Sequence, residues 1–296
     1  MTPRPDVAVS LRDGLRELAE LVPTDVSSDE QIAEYRAGAV SRGVTVAEIA
    51  DRYQADVAEP HAYVTSFTCG IPRARAVFLH GGGLIAGDRY DGVDVLLRHS
   101  AALGVDVWTL EYPLAPEANF DTMIDAGVRA VEVAVEQGLP VVLAGQSAGG
   151  GLAAAVALEC RDRGISLSGL MLVCPMLDDR TTASAAQFQG DPSWSTLSNT
   201  TAWQRALTDA SAAQPGRRAD TAGLPPVYLD AGSAEVFRDS IVAFASGLWA
   251  HGVSAELHIW SGGFHGFDCA VEDAVVSQEA HRARREWLRR LVDGEL

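Results

Sequence analysis

The chain has 296 residues and a formal net charge of −17, with 47% hydrophobic and 21% charged residues. A globular chain of this length buries roughly 75% of the surface that it exposes when unfolded, so extensive disorder is excluded and one or two domains are expected. The charge argues against nucleic acid and against anionic membrane surfaces, which both recruit basic patches, and it is sufficiently explained by solubility.

The first sixty residues read as helices. In VSLRDGLRELAELV, Val9, Leu11, Leu15, Leu18 and Leu21 fall near helical spacing. SSDEQIAEYRAGAV and TVAEIADRY follow, each opened by Ser or Thr with acids in the first turn. The N-terminus mixes charges and lacks the apolar core of a signal peptide. No run of about 18 apolar residues occurs, so no transmembrane helix is expected. The four cysteines, Cys69, Cys160, Cys174 and Cys269, are scattered without a C-x-x-C pair, so metal-ligand spacing is absent. Cys174 lies in the apolar run GLMLVCP and is expected to be a buried free thiol. These features point to a reduced, cytoplasmic protein.

Beyond residue 60 the pattern changes. Short apolar or β-branched runs (AYVTSF, ARAVFLH, VDVWTLEY, PVVLAGQ, GLMLVCP, PPVYLDAG and SAELHIW) alternate with helical patterns at 119–137, 148–163, 239–251 and 271–292. Strands alternating with helices mean an α/β fold with a mostly parallel sheet covered on both faces. Residues 178–222 break the alternation. They hold Trp194 and Trp203 and no convincing strand, and read as a cap-like insertion over one edge of the sheet. The expected organisation is an N-terminal helical cap region over 1–55 and a catalytic domain over 56–296.

Three segments carry the chemistry. PVVLAGQ runs into Ser147-Ala148-Gly149-Gly150-Gly151 and then a helical pattern, which sets G-x-S-x-G in a strand–turn–helix context. Such a turn exposes the serine hydroxyl and points the Ala148 amide, at a helix N-terminus, toward a developing oxyanion. ARAVFLH ends in His80-Gly81-Gly82-Gly83, whose bare amides suit an oxyanion hole. A phosphate loop is disfavoured there because no G-K-[ST] follows. His80 is expected to shape the loop rather than act as a base. SAELHIW precedes Ser261-Gly262-Gly263-Phe264-His265-Gly266-Phe267, where His265 can reach back over the sheet to the serine. His258 sits inside the strand, and His61, His99, His251 and His281 are expected to be structural or solvated. The acid should lie between serine and histidine in the chain. Asp230, Glu235 and Asp239 compete. Asp230 is still on the strand, Asp239 is expected to cap the next helix, and Glu235 falls in the loop where the acid is needed.

With these pieces in hand, the sequence resembles the hormone-sensitive-lipase-like branch of the α/β-hydrolases, which includes many bacterial carboxylesterases. The matching segments are HGGG at 80–83, EYPLAPE at 111–117, GQSAGG at 145–150, GSAEVFRD at 232–239 and GGFHGF at 262–267. The resemblance implies an α/β-hydrolase fold with an N-terminal helical cap. It implies Ser147 as nucleophile, His265 as general base, and an oxyanion hole from Gly82, Gly83 and Ala148. Two departures stand out. The family usually has a tyrosine–arginine pair before LAPE, whereas Tyr112 is followed by Pro113; and the family acid is usually Asp, whereas the matching residue is Glu235.

The expected function is a serine carboxylesterase acting on small esters, with no metal and no organic cofactor. Lactone hydrolysis or acyl transfer could use the same triad. A ligand-binding receptor built on an inactive hydrolase is disfavoured by the retention of both serine and histidine. The expected partner is a small ester or lactone, with no nucleic acid and no membrane, and a homodimer is the one protein assembly entertained.

Overall fold

The computed structural model describes residues 3–21, 23–40, 44–208 and 214–296. Val22 of the first helical pattern and residues 209–213 of the 178–222 segment therefore lie outside the described residues.

Eight strands among the described residues form one sheet. They are β1 (Asp56–His61), β2 (Val64–Thr68), β3 (Ala74–Leu79), β4 (Val105–Leu110), β5 (Val141–Gln146), β6 (Gly169–Val173), β7 (Val227–Gly232) and β8 (Ala255–Trp260). Their order is β1-β2-β4-β3-β5-β6-β7-β8. From β4 to β8 all neighbours are parallel, while β2 runs antiparallel to both β1 and β4.

The apolar runs are buried throughout in β3 to β7 because both faces of the sheet are covered. Side chains alternate between two hydrophobic clusters, as the period of two requires. Val77, Leu79, Leu143, Leu170, Leu172 and Leu229 face a cluster shared with α5 (Phe120–Glu136), α6 (Ala148–Asp162) and α9 (Arg238–Ala250). Ala76, Phe78, Val142, Ala144, Met171 and Tyr228 face the other, shared with α3 (Val46–Tyr53), α4 (Asp94–Leu103) and α11 (Val275–Val292). Full burial of each large aliphatic or aromatic side chain contributes roughly 1.5–3 kcal/mol before entropy is counted.

The N-terminal patterns form α1 (Arg12–Leu21), α2 (Asp29–Val40) and α3. Thr45 and Glu48 make a reciprocal capping box at the start of α3. The 178–222 segment contains α7 (Ala183–Gln187) and α8 (Thr196–Ala206) and no strand among its described residues. It adjoins the N-terminal segment through Ser195 Oγ donating to Asp25, Ser198 Oγ accepting from the Val26 amide, and an Arg205–Asp29 ion pair. A third apolar cluster joins Leu11 to Phe264 and Phe267, so the chain before α1 packs against the loop that carries His265.

Two elements differ from the sequence reading. Residues 56–61, counted with the helical N-terminus, form edge strand β1; every residue of it is exposed, which removes the alternation that marks a strand. Helix α4 was not expected between β3 and β4. It has no side-chain cap, and its buried residues run Val95, Leu96, Leu97, His99, Ser100 and Leu103, so both helical signals are weak.

Candidate active site

Parallel strands bring their C-terminal ends to one rim, and loops there can converge. The loops after β3, β5, β7 and β8 carry Gly81–Gly83, Ser147, Glu235 and His265.

Ser147 sits between β5 and α6 with φ +56° and ψ −121°, a conformation that L residues rarely adopt. Hydrogen bonds hold it there: its amide donates to the Val173 carbonyl at 2.8 Å, and its carbonyl accepts from Met176 and Gly151 at 2.9 and 3.0 Å. The turn also needs its glycines. A Cβ at Gly145 would lie 2.2 Å from the Gly149 oxygen, and one at Gly149 would lie 2.1 Å from the Leu79 oxygen. Strand and helix therefore approach through bare backbone.

Ser147 Oγ lies 2.8 Å from His265 Nε2. On the far side of the ring, His265 Nδ1 is 3.6 Å from Glu235 Oε2, close enough for an ion pair but longer than a hydrogen bond. Glu235 is 1% exposed. Its Oε2 accepts from the Gly232 amide at 3.2 Å, while Oε1 and His265 Nδ1 have no other partner. Cys174 adjoins this pair, so the donor atoms of Cys174, Glu235 and His265 lie within 4.8 Å of one another. Burial pushes the Cys174 thiol well above its usual pKa.

The competing carboxylates are occupied elsewhere. Asp230 Oδ2 accepts from Arg284 Nε at 2.8 Å, Tyr228 Oη at 3.1 Å and Trp260 Nε1 at 3.2 Å. Arg284 also pairs with Asp268, so a buried ion cluster lies under the His265 loop. Asp239 does not cap its own helix, contrary to expectation. The residue preceding α9 is Phe237, with no side-chain cap, and Asp239 Oδ2 instead accepts the Ser184 amide of α7 at 2.7 Å. Burial raises the Asp239 pKa, but bonds from Arg238 and Ser184 outweigh it and leave the carboxyl below its usual range.

The glycine loop adjoins the serine: a Cβ at Gly81 would stand 3.5 Å from Ser147 Cβ. Gly82 and Gly83 have φ of +102° and +66°. Among the described residues no hydrogen bond uses the amides of Gly82 or Gly83. The Ala148 amide opens α6, where a helix offers no internal acceptor. His80 is buried, with Nδ1 2.8 Å from the Gly81 carbonyl and its ring stacked on Tyr112 at 4.2 Å. Burial lowers its pKa to about 4, so it stays neutral and braces the loop.

These groups line a cavity of about 370 Å³ whose further walls are Leu18 of α1, Tyr35 of α2, Trp194 of the insertion, and Cys269 and Ala270 beyond the histidine loop. Leu18 and Trp194 appear in the sequence reading only as a helix stripe and a residue of the insertion. Tyr35 and Cys269 carry no sequence signal that would place them here, since they arrive from separate elements.

The family described as alpha/beta hydrolase fold matches residues 76–269. An acetyl-hydrolase of Streptomyces hygroscopicus is 29% identical over 202 residues, 64% of this chain and 66% of that protein. The carboxylesterase NlhH of Mycobacterium tuberculosis is 31% identical over 232 residues, 70% of this chain and 69% of that one. The chain thus spans about two thirds of the length of these curated relatives. Among solved structures, the esterase LipW from Mycobacterium marinum superposes with a TM-score of 0.85 at 26% identity, covering 97% of this chain and 98% of the other. A structure titled bacterial heroin esterase gives 0.80 at 27% identity, with 97% and 98% covered. Fold, site geometry and these similarities together place the chain in the hormone-sensitive-lipase-like family of alpha/beta hydrolases.

Proposed function

We propose that this protein is a serine carboxylesterase that hydrolyses small carboxylic esters through an acyl-enzyme on Ser147. The observation that carries the reading is the 2.8 Å contact of Ser147 Oγ with His265 Nε2 at a strained strand–helix turn. His265 Nε2 accepts the hydroxyl proton as Ser147 Oγ bonds to the ester carbonyl carbon. The oxyanion is met by the amides of Gly82, Gly83 and Ala148. Glu235 orients the ring and stabilises the imidazolium through Nδ1, the 3.6 Å separation closing as the ring becomes charged. The C–O bond to the leaving alcohol breaks, and His265 returns the proton to it. Water then repeats the two steps on the acyl-enzyme and releases the acid and free Ser147.

The N-terminal helices and the 178–222 insertion act as the cap, since Leu18, Tyr35 and Trp194 wall the cavity. A cavity of about 370 Å³ suits short esters. The four cysteines are free thiols, which fits a reducing cytoplasm. Among the described residues no helix is long and apolar enough to cross a membrane.

The test is a panel of p-nitrophenyl esters of rising chain length, with lactones alongside, on wild type and Ser147→Ala. Ser147→Ala should lower kcat by about 10⁴-fold or more, because triad members act as a unit. A fluorophosphonate probe should label Ser147 alone. Near-wild-type esterase activity in Ser147→Ala would sink the assignment, and faster turnover of emulsified long-chain triglyceride than of short esters would overturn the substrate class.

A further inference from the structure

An oxyanion hole works only if its donors are aimed before the charge develops. Three consecutive glycines are the least able of all residues to hold such an aim by themselves, since they have no side chains to pack and the most backbone freedom to lose. The loop therefore needs bracing from outside.

His80 and Tyr112 brace the loop's start, at the His80 and Gly81 carbonyls; the bracing beyond Gly82 comes from α2. Arg36 Nε donates to the Ile85 carbonyl at 2.6 Å, and its Nη2 donates to the Ala115 carbonyl at 2.6 Å. Both bonds bear on the glycine loop. The amides of Ile85 and Ala86 donate to the Gly82 carbonyl at 3.1 and 2.9 Å, so Ile85 belongs to the turn that Gly82 opens. The Ala115 amide donates to the Leu84 carbonyl at 2.9 Å, which closes a ring of bonds through Arg36, Ile85, Leu84 and Ala115. Glu117 grips the guanidinium from outside, at 2.8 Å to Nη1 and 2.7 Å to Nη2, and fixes its plane. Among the described residues no other arginine donates to a carbonyl of residues 81–88. The β4 loop supplies no cation, because Pro113 follows Tyr112 there. Pro113 instead lines a cavity of about 700 Å³ together with Arg36 and Glu117. The neighbouring Tyr35 lines the Ser147 cavity, with its ring 6.2 Å from that of Trp194. Consecutive residues of one helix thus face the substrate space and the loop.

We propose that Arg36 is the positioning residue of the oxyanion loop: by holding the Ile85 and Ala115 carbonyls it keeps the amides of Gly82 and Gly83 aimed at the oxyanion, and so links assembly of the hole to the seating of α2 over the cavity. This rests on the reading of Gly82 and Gly83 as oxyanion donors. Arg36 touches no reacting atom, so its loss should appear in transition-state stabilisation and leave ground-state binding nearly intact.

The experiment compares wild type, Arg36→Met and Arg36→Lys with a short p-nitrophenyl ester and with an aryl trifluoromethyl ketone. Ser147 adds to the ketone carbonyl carbon, its proton passes to His265, and the adduct carries an oxyanion in the hole. Arg36→Met should lower kcat by up to about 100-fold, the cost of misplacing a group by about 1 Å. KM should stay within about three-fold of wild type, as expected when only the transition state is affected, and the ketone inhibition constant should rise by the same factor as kcat/KM falls. Arg36→Lys, which keeps the charge but not the planar fork, should fall between the two. Should Arg36→Met fold poorly, Arg36→Lys carries the same comparison. The proposal is overturned if both variants keep kcat within about two-fold of wild type, a change too small to reflect a displaced donor. It is also overturned if KM rises while kcat and the ketone constant do not change, which would make Arg36 a substrate contact. Gly82→Ala and Gly83→Ala separate the two levels. If they are impaired and the Arg36 variants are not, only the positioning role fails; if they are fully active, the oxyanion assignment itself fails.

Discussion

Glu235→Gln should leave a folded enzyme with a kcat lower by about 10³-fold. The magnitude follows from the geometry. The substitution keeps an oxygen where Oε2 accepts from the Gly232 amide at 3.2 Å, and that oxygen still faces His265 Nδ1 at 3.6 Å. What disappears is the negative charge beside a ring that becomes positive in the transition state. Glu235 is 1% exposed and His265 is 8% exposed, so water screens the pair little. With an effective dielectric of about 20, unit charges at that separation attract by about 4–5 kcal/mol, or about three powers of ten in rate. The assay is kcat and KM on a short p-nitrophenyl ester, with circular dichroism to verify the fold. Asp239→Asn is the paired control. Asp239 bonds the Ser184 amide and Arg238, and lies outside the serine–histidine line. Its loss of charge should cost about 1 kcal/mol, or about 2 °C in Tm for a chain of this size, with kcat retained. An Asp239→Asn enzyme that is folded and inactive, beside a Glu235→Gln enzyme at full activity, would refute the argument and shift the acid to another loop position.

The two glycines of the loop should respond differently to repair. Gly82→Ala drives its Cβ to 2.0 Å from the Ala86 carbonyl oxygen, whereas Gly83→Ala meets the Trp194 ring at 2.3 Å. Each should lose about 10²-fold in kcat or more if one donor is displaced, but Trp194→Ala should recover part of the activity of Gly83→Ala alone; equal recovery in both would contradict the clash argument. Stability should fall on the acid side well before carboxylates titrate. Burial pushes the pKa of His80 down to about 4, His99 to about 3 and His281 to about 4, whereas each takes up its proton near pH 6.5 when unfolded. The stability tied to these neutral rings is therefore complete above about pH 6.5 and lost as pH falls toward the folded values, by up to roughly 1.4 kcal/mol per pH unit for each ring. Urea unfolding between pH 7 and 4.5 checks this, and a flat profile would count against it.

Much of the architecture could be read from the chain because the relevant physics is local. Short continuous apolar runs, alternating with helical patterns, dictate a parallel sheet covered on both faces, and the strands over 74–79, 141–146, 169–173 and 227–232 appear where those runs lie. G-x-S-x-G carries its own explanation, since the glycines at 145 and 149 stand where any side chain would strike backbone. The histidine in a glycine-rich loop after the last strand, and the carboxylate past β7, follow from parallel topology, which sends every such loop to one rim.

Other features depended on partners remote in sequence. Strand β1 exists because it pairs with β2; its exposed residues leave no pattern to read. Asp239 looks like a helix cap in its own segment, and only the arrival of Ser184 from α7 redirects its oxygen. The walls of the cavity meet from α1, α2, the insertion and the chain beyond His265, elements that share no local signal. Arg36 reads as one more polar residue of an N-terminal helix, yet its guanidinium reaches carbonyls 49 and 79 residues away. Local patterns determined which elements form and which groups stand at the strand ends, because propensity, side-chain alternation and close backbone approach act between near neighbours. The tertiary structure alone decided which side chains brace, wall and orient those groups, because hydrogen bonds and packing across the fold depend on distances that sequence separation does not encode.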